Sequence, residues 1–359
     1  MQTQIQYNAM CKNIQNCIEL SEQINKKIVY IDNGQEYTIN KDIINKKNIL
    51  FHYTYNHKDK KFSTDTEESV DISKVKQKIM NNCCVIHHMF SRYIVRILSD
   101  TNQHTEFVDI THRNFRNTNL LSAKIHKQNI DNIKYVYDTL NDDDSKAILC
   151  NSINFRLIRN PKVLKTSQYK QYFHPMIYPI ENSIIIEGGG FNCNSSLEFL
   201  AESKNSATIY CYEPNFNNYL QGFKNIHDKN ATGNIFLINN GLSDKNKVLK
   251  FSYDAQSSYA NENGKNLIFC SSIDALVSKL DIRPTHIKLD IEGEEYNALI
   301  GGIDTIKTYK PKLMISSYHK TEDIWNLLKT IQSFRRDYKF SLGFHSNAFT
   351  IYEIVLYAY

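Results

Sequence analysis

The stretch from Ser183 to Pro214 limits the fold more than any other part of the chain. It reads as a buried strand, a glycine turn, a helix and a second strand: Ser183-Ile-Ile-Ile-Glu187-Gly188-Gly189-Gly190-Phe191-Asn192, then Ala207-Thr-Ile-Tyr-Cys-Tyr212-Glu213-Pro214. Short apolar runs closed by turn residues fit strands buried on both faces of a parallel sheet. Each run stops at an acid, and Glu213 follows Glu187 by 26 positions. In βαβ folds such spacing puts both carboxylates at the carboxyl edge of the sheet, where ligands bind. Three consecutive glycines let the backbone turn sharply and approach a ligand that a Cβ would push away. The second acid can accept hydrogen bonds from a ribose diol, so the segment predicts an adenosine-containing cofactor.

Two cofactor types must be separated. A dinucleotide needs glycines at G-x-G-x-x-G, so that the helix packs closely and its N-terminus meets a pyrophosphate. Counted from Gly188 or Gly190, the last glycine position is Cys193 or Ser195. S-adenosylmethionine has no phosphate and needs only the tight turn around Gly189 and the ribose acid. On these residues alone, a glycine loop that merely joins strand to helix is the plain alternative.

A chain of 359 residues, 41% hydrophobic, can bury at least one large core and suggests two domains. Its charge of +5 comes from 43 basic and 38 acidic side chains spread without a dense Lys/Arg block, which argues against nucleic acid as the main partner. Met1 to Leu20 is polar, and no apolar stretch approaches membrane-spanning length, so a soluble, cytoplasmic protein is expected. The eight cysteines are scattered; Cys83, Cys84, Cys211 and Cys270 lie in strand-like apolar runs, and no disulfide framework is expected. Cys83-Cys84-Val-Ile-His87-His88 has no CxxC partner, and adjacent strand residues point to opposite faces, so it is read as structural. Asp142, Asp143 and Asp144 are read as a helix start rather than a metal site.

Residues 1–115 are expected to form a smaller α/β or α+β accessory domain, with a helix near Cys11 to Lys26 and a hairpin around Asn33-Gly34. Val70 to Ile79 and Ser91 to Ser99 read as helices, and Cys83 to Met89 and Glu106 to Ile110 as strands. Residues 116–168 form a helical linker, with helices at Ile125 to Leu140 and Lys146 to Arg159. From Tyr169 to the end, strands and helices alternate as in a parallel sheet. Strands are expected at Ile184 to Glu187, Thr208 to Tyr212, Ile235 to Asn239, His286 to Asp290 and Lys312 to Ser317. Val248 to Tyr253 and Leu267 to Ser271 are short strands of an insertion. Helices are expected at Ser195 to Glu202, Asn215 to Asn225, Glu294 to Ile306 and Glu322 to Phe334. Tyr338 to Gly343 and Thr350 to Tyr357 have no helix between them and should close the sheet as an antiparallel pair.

The strand His286-Ile-Lys288-Leu-Asp290-Ile-Glu292-Gly293-Glu294-Glu295 carries the chemistry. With period two, Lys288, Asp290 and Glu292 share one side. Negative charge at the start of the next helix, worth about 0.3–1 kcal/mol per residue, accounts for Glu294. It does not account for Lys288 or Asp290, which sit earlier, in an apolar strand at the carboxyl edge.

With this run, the sequence resembles the FkbM family of S-adenosylmethionine-dependent methyltransferases over roughly Gln171 to Tyr359. The family's D-x-G-A/G turn is similar to Glu187-Gly188-Gly189-Gly190, its E-P to Glu213-Pro214, and its K-x-D-x-E-G-x-E run, the most specific of the three, to Lys288 through Glu295. Ser272-Ile273-Asp274, Lys310-Pro311-Lys312, Tyr318-His319-Lys320 and the closing Glu353-Ile-Val-Leu-Tyr add to the likeness. Glu187 stands where Asp is usual, and Cys193 where a glycine often is. The resemblance implies a class I methyltransferase fold, Rossmann-like, with a seven-stranded, mostly parallel sheet whose last strand is antiparallel. It implies O-methylation of sugars, glycans or sugar-bearing natural products, with S-adenosyl-L-methionine as cofactor. The cofactor-binding residues implied are Glu187, Gly188, Gly189, Gly190, Asn192, Glu213, Ser243 and Asp290.

His319, Asp290, Glu292 and Lys288 are the candidate catalytic residues, the first three being the candidates for the proton acceptor. Asp290 could equally orient the cofactor's methionine part or the substrate, and Lys288 could hold its carboxylate partner. Hard oxygen ligands at Asp290 and Glu292, with His319, would suit Mg²⁺, but no metal is assigned. His345 could line the acceptor pocket from the final hairpin. The expected partner is a small-molecule or glycan acceptor, and a homo-oligomer is compatible with the chain. Alternatives are a methyltransferase fold retained only for binding or interaction, and a nucleotide-sugar dehydrogenase or epimerase.

Overall fold

The computed structural model describes residues 2–23, 28–32, 49–56, 61–64, 66–79, 84–87, 106–109, 125–158, 164–254, 257–260, 266–346 and 353–359. Two compact units divide the chain: Met1–Ile133, Lys146–Lys165 and Ser346–Ile351 form one, and Lys134–Ser145, Thr166–His345 and Tyr352–Tyr359 the other. Segment 116–168, read above as a linker, is thus divided between them.

The first unit holds helix α1 (Gln2–Gln23), strands β1 (Ile28–Asp32), β2 (Ile49–Asn56) and β3 (Lys61–Ser63), helix α2 (Ile72–Ile79), and strands β4 (Cys84–His87) and β5 (Glu106–Asp109). Its sheet runs β3-β2-β1-β4-β5. The expected hairpin at Asn33-Gly34 is corrected here. Strand β1 pairs in parallel with β2 on one side and β4 on the other, so neither edge is free for an antiparallel return strand. Residues 33–48 and the expected helix at 91–99 lie outside the described residues. Helices α3 (Ile130–Thr139) and α4 (Asp143–Ile158) follow. Asp142 starts the latter by accepting from the Ser145 amide (2.7 Å) and hydroxyl (2.8 Å).

The second unit is built on β6 (Ile184–Gly188), α5 (Asn194–Glu202), β7 (Thr208–Tyr212), α6 (Phe216–Asp228) and β8 (Ile235–Ile238). After β9 (Gly241–Leu242), β10 (Lys247–Asp254), β11 (Ser257–Ala260) and β12 (Asn266–Ser271) come α7 (Ile273–Leu280), β13 (His286–Leu289), α8 (Glu295–Ile300), α9 (Ile303–Tyr309), β14 (Lys312–Ser316), α10 (Asp323–Phe334), β15 (Phe340–Phe344) and β16 (Ile354–Ala358). The main sheet has seven strands in the order β15-β16-β14-β13-β6-β7-β8. Strand β16 runs antiparallel to both neighbours, and the pairs from β14 to β8 are parallel. This is the seven-stranded α/β arrangement expected of a class I methyltransferase, including the antiparallel last strand. Strands β9 to β12 make a separate four-stranded sheet, the insertion expected around 248–271.

Chain order reverses at β6: β7 and β8 lie on one side, β13 and β14 on the other. A crevice therefore opens at the carboxyl ends of β6 and β13. Register pairs Lys288 with Glu187 and Leu289 with Gly188, so the two motif-bearing turns leave the sheet side by side. Ile185, Ile209, Cys211, Phe199, Met314 and Val355, all fully buried, fill the layer beneath.

The single helix expected over Glu294 to Ile306 is two. It breaks at Gly301-Gly302, where the chain passes so close to the Ser243 carbonyl oxygen that a Cβ on Gly301 would lie 2.1 Å from it. Asp274 then accepts from the Asp304 (3.1 Å) and Thr305 (2.8 Å) amides and so starts α9 afresh.

Two buried histidines make this unit acid-sensitive. His286 Nε2 meets the Ile177 carbonyl at 3.0 Å, and burial, then the Lys312 charge, pushes its pKa down to about 4. His345, which the sequence placed at the acceptor pocket, instead lies 2.8 Å from the Tyr357 hydroxyl and edge-on to Tyr169; burial lowers it to about 4 as well. Both groups are neutral when folded and bind protons more tightly when unfolded. The stability they support is present above the unfolded pKa of about 6.5 and is lost as pH falls toward 4. For His286, 1% exposed, the loss by pH 4 is on the order of 3 kcal/mol. Urea midpoints measured between pH 7 and 4 are expected to fall, and His286→Gln is expected to flatten that slope; an equally steep slope in the variant would discard the assignment.

Candidate active site

Strand β6 delivers Glu187 to the bottom of the crevice, fully buried. Its two oxygens accept from the hydroxyls of Ser195 and Ser196 at the start of α5. Lys288, 2% exposed, reaches across from β13 to 3.3 Å from Glu187 Oε1. The same ammonium donates to the Gly189 carbonyl at 2.7 Å and the Gly188 carbonyl at 3.3 Å. Burial alone would lower the Lys288 pKa, but Glu187 and Asp290 outweigh it and hold it above the ordinary value. Lys288 therefore ties the glycine turn to the sheet from below, where the sequence expectation had set it among catalytic groups.

The glycines answer first to the protein itself. Gly189 has φ +77°, and a Cβ there would meet the Asp290 carbonyl oxygen at 1.8 Å. On Gly190 it would meet Cys211 Sγ at 2.1 Å. The turn is thus pressed against the end of β13 and the thiol of β7. Cys193, where the resemblance led one to look for a glycine, adopts φ 62° as the residue before α5, with its buried Sγ 3.7 Å from that of Cys211. Asn192 Oδ1 accepts from the Asn194 amide at 3.3 Å, and its carbonyl accepts from Asn225 at 2.9 Å.

Glu213 ends β7, and its carboxylate folds back over the turn. Oε2 accepts from the Phe191 amide and Oε1 from the Asn215 amide, each at 2.8 Å. Burial raises its pKa against these hydrogen bonds. Oε1 also accepts from the Asn218 side-chain amide at 3.5 Å, while Oε2 keeps a lone pair, so the group can still accept from a diol. Ser243 stands apart: its buried hydroxyl faces Glu294 Oε2 at 3.1 Å and Asp244 Oδ1 at 3.2 Å.

Asp290, just past β13, is held by two tyrosines. The Tyr172 hydroxyl donates to Oδ2 at 2.7 Å and the Tyr318 hydroxyl to Oδ1 at 3.0 Å. Burial would raise its pKa, but Lys288, His319 and the Tyr172 hydrogen bond prevail and hold it below the ordinary value. His319 follows β14, with side chain 10% exposed. Its Nε2 lies 3.6 Å from Asp290 Oδ1 and 3.5 Å from Glu292 Oε2, and its Nδ1 3.0 Å from Glu295 Oε1. Burial opposes the charge, yet Glu295, Asp290 and Glu292 raise the imidazole to about 10. Glu292 adopts φ 56°, keeps 45% of its side-chain exposure, and is pushed up to about 7, chiefly by burial.

The structure thus brings Asp290, Glu292 and His319 together, and Glu187, Lys288, the glycines and Glu213 beside them. Sequence reasoning missed Tyr172, Glu295 and Glu353 as site residues. Glu295 lay within the acidic run and could have been found there. Tyr172 arrives from outside any motif, and Glu353 from the closing run, where no site role was read; Glu353 accepts from Gln171.

No curated protein matches the chain. Among solved structures, it is similar over 99% of both chains to a methyltransferase FkbM from Methylobacillus flagellatus KT, with TM-score 0.70 and 18% identity. A putative rRNA-methylase from Clostridium thermocellum shares TM-score 0.37 and 9% identity over 54% of this chain and 96% of that one. Residues 190–342, which hold the glycine turn's end, Glu213 and the whole Lys288 to Glu295 run, match the methyltransferase FkbM domain, and through them the chain carries a domain of the FkbM methyltransferase family.

Proposed function

We propose that this methyltransferase moves the methyl group of S-adenosylmethionine to a hydroxyl oxygen of a sugar, a glycan or a sugar-bearing natural product. The observation that carries the reading is the placement of Glu213 over a glycine turn that lacks the dinucleotide fingerprint, next to the Asp290–Glu292–His319 cluster at the reversal point of the sheet. The Glu213 carboxylate would accept from the ribose diol, and the glycine turn would pass beneath the nucleoside. The acceptor oxygen attacks the methyl carbon, the carbon–sulfur bond breaks with its electron pair staying on sulfur, and the hydroxyl proton leaves to a base. Alignment of oxygen, carbon and sulfur supplies much of the rate, and the base about 10²- to 10⁴-fold more. Glu292 fits the base role best, as the more exposed of the cluster's two carboxylates.

Calorimetric titration with S-adenosylhomocysteine, NAD and NADP tests the cofactor. Binding of the thioether nucleoside alone is expected. Glu213→Gln removes the charge and leaves one oxygen where the Phe191 and Asn215 amides now take one each, and should weaken binding about 10- to 100-fold, as for a hydrogen bond to a charged group. Preferential dinucleotide binding would replace this reading with the dehydrogenase or epimerase alternative. Binding of none of the three would leave an interaction protein on a methyltransferase fold.

A further inference from the structure

Three carboxylates, Asp290, Glu292 and Glu295, converge on one imidazole, with the charge of Glu353 felt nearby, and that negative excess is part-buried. The nearby cations are already committed: Lys288 to Glu187 and the Gly188 and Gly189 carbonyls, Lys320 to the Gly293 carbonyl. Within this cluster Glu295 is 1% exposed, and its Oε2 has no hydrogen-bond partner. His319 Nδ1 is also without one: it lies 3.0 Å from Glu295 Oε1 but is not aligned for a hydrogen bond. A buried carboxylate oxygen without a partner, as Glu295 Oε2 is, is rare and costly, and an ion is one of the things that satisfies it.

Asp290, Glu295 and His319 offer ligand atoms that all lie within 4.8 Å of one another. In an octahedron with bonds of about 2.1 Å, opposite ligands stand roughly 4.2 Å apart and adjacent ones roughly 3 Å, so the three would draw inward by up to about 1 Å each to close around one ion. We propose that Asp290, Glu295 and His319 hold a divalent cation at the carboxyl edge of β13 and β14. Two carboxylates with one imidazole form a mixed oxygen and nitrogen donor set, which suits Mn²⁺ at least as well as Mg²⁺. This set differs from the Asp290, Glu292 and His319 grouping weighed on the sequence. It leaves Glu292 unligated beside the ion, on the solvent side. An ion there can take one or two hydroxyl oxygens of an acceptor as further ligands and polarise the one that reacts, which favours acceptors with vicinal hydroxyls.

The test uses the full chain, stripped with a chelator and titrated with Mn²⁺ while the electron paramagnetic resonance signal of the free ion is followed. One saturable ion per chain is expected. Glu295→Gln, which keeps an oxygen for the Ile291 amide, should weaken it about 10- to 100-fold, with the fold checked by circular dichroism. If that variant does not fold, Asp290→Asn, which keeps an oxygen for one tyrosine hydroxyl and an amide that can donate to the other, should show the same loss. Absence of saturable Mn²⁺ uptake by the unmodified chain, or uptake unchanged in a folded variant, overturns the proposal. The readout needs no cofactor or acceptor, so it stands or falls apart from methyl transfer.

Discussion

Lys288→Met is expected to lower the unfolding free energy by roughly 3–5 kcal/mol, the range for removing one partner of a buried ion pair. The reason is what it leaves behind. Glu187 is fully buried with Lys288 as its cation at 3.3 Å, and the same ammonium serves the Gly188 and Gly189 carbonyls. Methionine fills a similar volume but satisfies none of the three acceptors. The sheet has no slack to bring in water, because Lys288 and Glu187 face each other in register in the middle of it. A double-mutant cycle separates this from lost packing. Glu187→Gln removes the orphaned charge while keeping an oxygen for the serine hydroxyls, so Lys288→Met in that background should cost less by 1 kcal/mol or more. Urea unfolding of the four proteins measures it, and strict additivity would mean that the pair is not coupled. Binding of S-adenosylhomocysteine should weaken in Lys288→Met even where the protein remains folded, because the glycine turn loses its anchor.

The parts of this molecule that could be read from sequence are those where local pattern and tertiary demand coincide. Strands β6, β7, β13 and β14 are buried on both faces, so they read as apolar runs, and the acids at the ends of β6, β7 and β13 mark the carboxyl edge. The antiparallel close of β15 and β16 could be read because the intervening stretch is too short for a crossover helix. Where pattern and demand part, sequence misleads. The apolar periodicity of Glu294 to Ile306 runs on through Gly301 and Gly302, where the helix breaks as the chain passes close to the backbone of Ser243, some sixty positions earlier. Asn33-Gly34 reads as a hairpin turn, but the parallel partners on both sides of β1 leave no edge for one. Cys193 looked like a departure from a glycine position; its left-handed backbone shows that the loop keeps the glycine-type conformation with a thiol in place. Tyr172 and Glu353 reach Asp290 and Gln171 over separations of 118 and 182 residues. No local pattern can announce contacts of that span.

These distinctions also bear on what the signature run does. Lys288 and Asp290 are two residues apart, as period two requires, yet they serve different layers. Lys288 looks inward to the turn, while Asp290 lies beyond the last paired residue and is claimed by Tyr172, Tyr318 and His319. Glu292 and Gly293 have positive φ, which turns the chain so that Glu295 comes back under His319. One short motif therefore supplies a strut, a fixed carboxylate, a solvent-facing carboxylate and a buried one.

Gly189→Ala should be the most damaging single-methyl change in the protein. Two costs add. The residue sits at φ +77°, where an L side chain pays about 1–2 kcal/mol. Its Cβ would also stand 1.8 Å from the Asp290 carbonyl oxygen, which is backbone and cannot rotate away. Relief requires the turn and the end of β13 to separate, and such overpacking typically costs a further 1–3 kcal/mol. A loss of about 3 kcal/mol or more is therefore expected in urea unfolding. The separation would also move Asp290 away from Tyr172 and Tyr318, so S-adenosylhomocysteine binding should fall in the molecules that still fold. Gly233→Ala is the control, since a Cβ there meets nothing within 4 Å and its φ is not in the left-handed range; it should change stability by no more than about 0.5 kcal/mol. If Gly189→Ala proved as mild as that control, the turn could not be pressed against β13 as described, and the reason given for the glycine triplet would have to be sought in the ligand instead.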